Sequence, residues 1–222
     1  MIPNLSNYFD HAQLHSDTTS KDIARICQEA IEYDFYSIAI NPYWVKFAKK
    51  ELTGTNIKIL SVSGFPLSAS TTDIKISEAV KGVADGADEI DMVANVGLLV
   101  EGEYRQVEEE IALMRKILPE DTILKVIIEA PKLTPEQQIE ATKCVINGGA
   151  EFVKTCTGFF GGATVEMVKR LHETANGKIK VKASGGIKTL AETIALIEAG
   201  AKRIGSSSSV AIIKDYMSRQ SD

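Results

Sequence analysis

Cysteine is scarce in this chain: three residues, an odd number, with no CxxC pair. That excludes a disulfide-stapled scaffold and suits a reducing cytosol. Basic charge is not in surplus either. Thirty acidic against 25 basic side chains leave a formal charge of −5, which argues against nucleic acid or an anionic membrane as the main partner. No apolar run approaches the roughly 18 residues that span a bilayer. The opening MIPNLSNYFDHAQ lacks the basic-then-apolar layout of a signal peptide. There is no low-complexity stretch and no Pro/Gly/Ser-rich linker at which to divide the chain. Hydrophobic residues at 44% and charged residues at 25% sit near globular averages, so disordered, collagen-like and coiled-coil readings are poor. The expectation is one soluble, cytoplasmic domain over residues 1–222.

What the chain does have is alternation. Short β-branched runs lie at 8–14 (the weakest), 36–40, 58–62, 89–93, 124–129, 152–155, 180–183 and 203–205. Between them lie amphipathic segments such as 21–33, 74–85, 104–118, 136–147, 165–173 and 190–199. Gly86, Gly149 and Gly200 each close a helix-like run just before a strand-like one, the position where a left-handed cap is needed. Thr134-Pro135, Thr164 and Thr189 supply N-cap hydroxyls at helix starts. Eight β-then-α units in about 220 residues predict an α/β fold, a single-domain (β/α)8 TIM barrel. An open doubly wound sheet is the alternative, but no GxGxxG follows the first strand.

Alternating residues of a barrel strand face the helices and the lumen. In 89–93, Ile90 and Met92 face the helices and send Asp91 inward. The same parity turns Lys125, Lys154, Lys180 and Lys182 into the lumen. Such charges are almost never fully buried unless paired. Lys154 and Lys182 fall on adjacent strands, about 4.8 Å apart, which brings their amino groups to roughly 6 Å. At an effective dielectric of about 20 the repulsion is about 2.8 kcal/mol, roughly two pK units. One lysine is therefore expected to fall from about 10.4 towards 8 and to act as a nucleophile towards carbonyls, with Asp91 and Lys125 managing protons. A purely structural ion network accounts for any one of these lysines, but less well for two side by side with a carboxylate.

The last two strands end in Ser184-Gly185-Gly186-Ile187-Lys188 and Gly205-Ser206-Ser207-Ser208-Ser209. Loops after strands 7 and 8 of a barrel often hold phosphate through exposed backbone N–H groups. Gly158, Gly185, Gly186, Lys188, Gly205, Ser206 and Ser207 are the candidate phosphate-binding residues; either loop alone is ordinary turn chemistry.

EIDMVANVG, LKVIIEA, FVKTCTGF, VKASGGIKT and RIGSSSS, in that order, closely resemble the deoxyribose-phosphate aldolase family of Schiff-base (class I) aldolases. VSGFPLSASTTDIK, INPYWV and a weaker FDHAQL extend the resemblance over essentially the whole chain. It implies a barrel, a small phosphorylated sugar as substrate, no metal or organic cofactor, and a homodimer. It also implies Lys154 as the Schiff-base lysine, Lys182 as the neighbour that lowers its pKa, Asp91 as the proton relay and Lys125 as assistant. The chain departs from the family pattern at Ala12, Ala39, Ser68, Ala130-Pro131 and Lys188. Two other readings stand beside this one. A phosphosugar lyase or isomerase would use Asp91 as base, with the lysines as electrostatic stabilisers; a catalytically idle protein would bind only a phosphorylated ligand.

Overall fold

The β-branched runs become eight strands, and the computed structural model describes residues 2–220. In chain order they are β1 (Phe9–Gln13), β2 (Ser37–Ile40), β3 (Lys58–Ser63), β4 (Glu89–Val93), β5 (Ile123–Ile127), β6 (Phe152–Lys154), β7 (Lys180–Ser184) and β8 (Ala201–Ser206). Each pairs in parallel with its successor, and β8 returns to β1 to close the barrel. The ends of the expected 1–222 domain, Met1, Ser221 and Asp222, lie outside the described residues.

The connecting helices are α1 (Ser20–Glu32), α2 (Val45–Glu51), α3 (Thr72–Asp85), α4 (Val96–Glu101), α5 (Tyr104–Ile117), α6 (Pro135–Asn147), α7 (Val165–Ala175), α8 (Leu190–Glu198) and α9 (Ser209–Ser218). Thr134, Thr164 and Thr189 cap α6, α7 and α8 by accepting from the N–H groups of Gln137, Met167 and Glu192. Gly200 ends α8 with φ of 117°, and a Cβ there would lie 2.3 Å from Cγ of His172. Only glycine satisfies both conditions. The short α2 and α4, seven and six residues long, span too few turns to show a helical period. Strand β5 stops at Ile127 rather than running to residue 129, because Glu129 turns into the left-handed region with φ of 50°.

Helix-facing strand residues such as Ile38, Ile59, Ile90, Met92, Val126 and Val181 are fully buried in one layer between sheet and helices. Each contributes roughly 1.5–3 kcal/mol by leaving water. A second, smaller apolar cluster lies inside the barrel: Ala39, Leu60 and Val62, with Ala12, Leu14 and Phe65 against it. No helix among the described residues is long and apolar enough to cross a membrane.

One buried ion pair braces the layer outside the barrel. Lys75 of α3 is wholly inaccessible and pairs with Glu110 of α5 at 2.6 Å. Its Nζ also donates to Ser68 Oγ at 2.8 Å and to the Val93 carbonyl at 3.1 Å, so it ties the loop after β3 to the end of β4. Removing one partner of such a pair strands a buried charge. Glu110→Ala is therefore expected to cost about 3 kcal/mol or more in urea unfolding; a loss under about 1 kcal/mol would show that Lys75 finds solvent.

Candidate active site

Inward parity on six strands brings seven charged side chains together. Asp10 comes from β1, Glu89 and Asp91 from β4, Lys125 from β5, Lys154 from β6, Lys182 from β7 and Arg203 from β8, and all are buried. Asp91 Oδ2 accepts from both Lys154 Nζ and Lys182 Nζ, each at 2.7 Å. The two lysines are register partners across β6 and β7, and their nitrogens are no further apart than twice that distance.

Six of the seven groups form a closed cycle of alternating charge. From Asp91, Lys182 Nζ reaches Asp10 Oδ2 at 2.5 Å, and Asp10 Oδ1 lies 3.4 Å from Arg203 Nη1. Arg203 Nη2 donates to both oxygens of Glu89 at 2.9 and 3.0 Å. Glu89 Oε2 takes a short hydrogen bond from Lys125 Nζ, which stands 3.4 Å from Asp91 Oδ1 and completes the ring. Three carboxylates face three cations, so the cycle balances. Lys154 is the fourth cation and is attached through Asp91 alone. It carries the surplus charge.

The pKa shifts follow from that arrangement. Burial pushes Lys154 down, Asp91 pulls it back up, and Lys182 pushes it down again. The depression expected from the sequence is present, but desolvation is its chief cause and like-charge repulsion a secondary one. At Lys125 burial opposes the charge, yet Glu89 and Asp91 outweigh it and hold the pKa above the usual lysine value. Burial alone would raise Asp91, but Lys154, Lys182 and Lys125 bring it well below the carboxylate range. Asp10, likewise opposed by burial, is lowered to about 2 by Lys182 and Arg203.

Above this layer, at the C-terminal ends of the strands, opens a cavity of about 170 Å³. Lys154 and Lys182 reach it from below, and Gly158, Gly185, Gly186, Lys188, Gly205, Ser206 and Ser207 all border it. Asp91 and Lys125 are not on its surface; they lie beneath it. Close glycine packing shapes the wall. A Cβ on Gly185 would meet Cys156 Sγ at 2.8 Å and the Gly161 carbonyl at 2.9 Å, and one on Gly205 would meet Lys182 Cε at 3.1 Å. Ser206 is engaged internally, donating to the Ile187 carbonyl at 2.7 Å and accepting from the Ser208 N–H at 2.9 Å.

One placement differs from the sequence reading. Lys180 has inward parity but is exposed at the other end of β7, with Nζ 5.6 Å from the centre of the Phe152 ring. Asp10 enters the lumen, while His11 beside it faces outward and bonds Glu29 at 2.8 Å. Asp10, Glu89 and Arg203 were the ring members missed. Glu89 shares the parity of Asp91, and that was the available signal. Cys156 is buried against the Ser184 carbonyl, with its thiol pushed up to about 11 by burial, a packing role.

A family model described as DeoC/LacD family aldolase matches residues 5–214. The chain belongs to this aldolase family. It is 45% identical over 211 residues to a deoxyribose-phosphate aldolase of Brevibacillus brevis, covering 95% of both chains. Among solved structures it resembles QR15, an aldolase, with a TM-score of 0.93 at 39% identity, over 99% of this chain and 98% of that one. It also resembles the tetrameric deoxyribose phosphate aldolase of Aeropyrum pernix, with a TM-score of 0.87 at 30% identity, over 97% and 92% of the two chains. The departures from the family pattern have structural counterparts in this aldolase. Ala12 and Ala39 are register partners on the apolar side of the cavity. Ser68 adopts φ of 53° and donates its hydroxyl to the Val93 carbonyl. Pro131 abuts Gly161, where a Cβ would approach it to 2.7 Å.

The lowered carboxylates set an acid limit on stability. For Asp10 and Asp91 the folded pKa lies below the unfolded value of 3.8. Their contribution is complete above that value and is lost as pH falls through it towards about 2. Unfolding free energy measured by denaturant is expected to drop steeply across that window, and Asp10→Asn is expected to flatten the drop. An unchanged slope in Asp10→Asn would contradict the assignment.

Proposed function

We propose that this aldolase reversibly cleaves 2-deoxy-D-ribose 5-phosphate to D-glyceraldehyde 3-phosphate and acetaldehyde through a Schiff base on Lys154, with no cofactor. The observation that carries the reading is the balanced ring: Asp91, Lys182, Asp10, Arg203, Glu89 and Lys125 satisfy one another, and Lys154 is the cation left over. Loss of its proton leaves the buried layer neutral, and a neutral amine still donates to Asp91. An uncharged lysine opening on a cavity is the nucleophile that carbonyl chemistry requires. The named relatives supply the substrate class.

The steps follow from atom balance. Lys154 adds to the aldehyde carbon of the open-chain sugar and water leaves, giving a protonated imine. A base removes the proton from the C3 hydroxyl, the C2–C3 bond breaks, and its electron pair moves towards the imine nitrogen as an enamine. Glyceraldehyde 3-phosphate departs with the new carbonyl. The enamine takes a proton at C2, and water returns to release acetaldehyde and the free amine. Asp91, joined to both lysines, relays the protons through an intervening water; Lys182 lowers the Lys154 pKa and donates, and Lys125 assists by holding Asp91 ionised. The phosphate rests against Gly158, Gly185, Gly186, Lys188, Gly205, Ser206 and Ser207, and anchors the remote end so that C1 meets the amine.

The protein is further proposed to work in the cytoplasm as a homodimer, a reading favoured by the exposed apolar side chains of Leu67, Ile74 and Val100. Light scattering that gives one chain per particle would overturn the dimer.

Incubation with acetaldehyde and borohydride is expected to add a two-carbon alkyl group at Lys154, read by peptide mass. Lys154→Leu exchanges a buried charge for apolar volume, and is expected to abolish turnover while remaining folded. An unmodified Lys154 in an active enzyme would favour the isomerase-type chemistry. Phosphate binding without cleavage would favour the idle binder.

A further inference from the structure

Glu89 touches neither the cavity nor Lys154, yet it decides where Lys125 points. Lys125 Nζ has two carboxylates in reach and gives its short hydrogen bond to Glu89, leaving Asp91 Oδ1 at 3.4 Å. Asp91 Oδ1 accepts no hydrogen bond among the described residues. One oxygen of Asp91 is thus committed to two lysines, while the other retains free lone pairs in a buried site. On its far side Glu89 takes both bonds from Arg203 Nη2, and Arg203, stacked on the Tyr36 ring at 3.3 Å, faces Asp10.

We propose that Glu89 is a positioning residue for the aldolase reaction: it draws Lys125 off Asp91 and supplies the third negative charge that makes Lys154 the surplus cation. This rests on the Schiff-base reading above. Two consequences are separable. Geometrically, Glu89 keeps an oxygen of Asp91 open to accept a proton. Electrostatically, it fixes the pH at which Lys154 becomes neutral, because the buried layer has no solvent to absorb a change of net charge.

The charges around Lys154 define what else bears on that pH. Asp91 bonds it from β4, and Lys182 of β7 and Asp10 of β1 act on it by charge; Glu89 of β4, Lys125 of β5 and Arg203 of β8 lie beyond them in the ring. The Cys156 thiol lies just beyond it on its own segment, and His15 and Lys188 stand at the cavity wall. Of these, Asp10, Glu89 and Arg203 are the ring members that bond neither Lys154 nor Asp91, so changes there reach the lysine through the ring.

The experiment follows the pH dependence of kcat/KM, and of borohydride trapping at Lys154, in Glu89→Gln, Lys125→Met and the double variant. Glu89→Gln leaves the layer one charge more positive, and its acid limb is expected to move down by about one pH unit. Lys125 then turns onto Asp91 Oδ1, lowering kcat about tenfold with KM little changed. Lys125→Met leaves the layer one charge more negative and is expected to move the limb up by a similar amount. The double variant restores the balance and is expected to return the limb to the wild-type position, and Glu89→Asp to recover part of kcat.

Limbs that stay in place in both single variants, with losses tracking only thermal stability, would overturn the proposal. If Glu89→Gln does not fold, the sign of the Lys125→Met shift decides alone. Failure of the Schiff-base reading is distinguishable, since it would appear as wild-type Lys154 resisting reduction.

Discussion

A charge in the lumen of a packed barrel must find its opposite, and this requirement shapes everything the site does. Asp91 and Lys125 expose no surface to bulk solvent and Lys182 almost none, so each depends on its partners. The result is a ring in which every member is fixed by two neighbours. A side chain held from two sides has little freedom to relax when a substrate arrives, and such preorganised dipoles and charges stabilise developing charge effectively. The same closure explains why Asp10 and Asp91 stay ionised despite burial, while the one cation outside the ring is destabilised.

Much of this was legible in the sequence because strand parity is an unforgiving signal. A two-residue period either points a charge at the helices or into the lumen, and at Asp91, Lys125, Lys154 and Lys182 the apolar neighbours on the opposite face settled the direction. Most strand runs were found at nearly their full extent for the same reason, although the run at 203–205 covers only half of β8 (Ala201–Ser206). Glu89 was less conspicuous because it opens β4, and Arg203 because it opened the run read at 203–205, positions where charge is expected to meet solvent. Asp10 was obscured by a weak first strand and by His11 beside it. The cause of the lysine pKa also needed three dimensions. Sequence gives the number and sign of neighbours, but the weight of desolvation depends on how completely the barrel closes over them.

The glycine-rich loops show where composition alone would mislead. SGG and TGFFGG read as ordinary turns, yet their glycines interlock. Gly158 and Gly185 approach so closely that a Cβ on the first would lie 3.2 Å from Cα of the second, and one on Gly162 would lie 2.8 Å from the Gly185 carbonyl. Two loops from adjacent strands therefore share one backbone surface, with Pro131 beneath Gly161. The side of the cavity facing them is built from Ala12, Leu14 and Ala39. The cavity is polar and donor-rich on one side, apolar and small-residue on the other.

The members of the charge cycle come from the first strand and the last, as well as from those between. Asp10 and Arg203 meet only across the seam where β8 joins β1. A chain emerging from synthesis with six strands assembled would hold Asp10, Glu89, Asp91, Lys125 and Lys154 but lack Lys182 and Arg203, the two cations that bridge Asp10 to Asp91 and to Glu89. The ring in this barrel therefore closes only with the final seam, and a half-assembled copy is left with more lumenal carboxylates than cations to hold them.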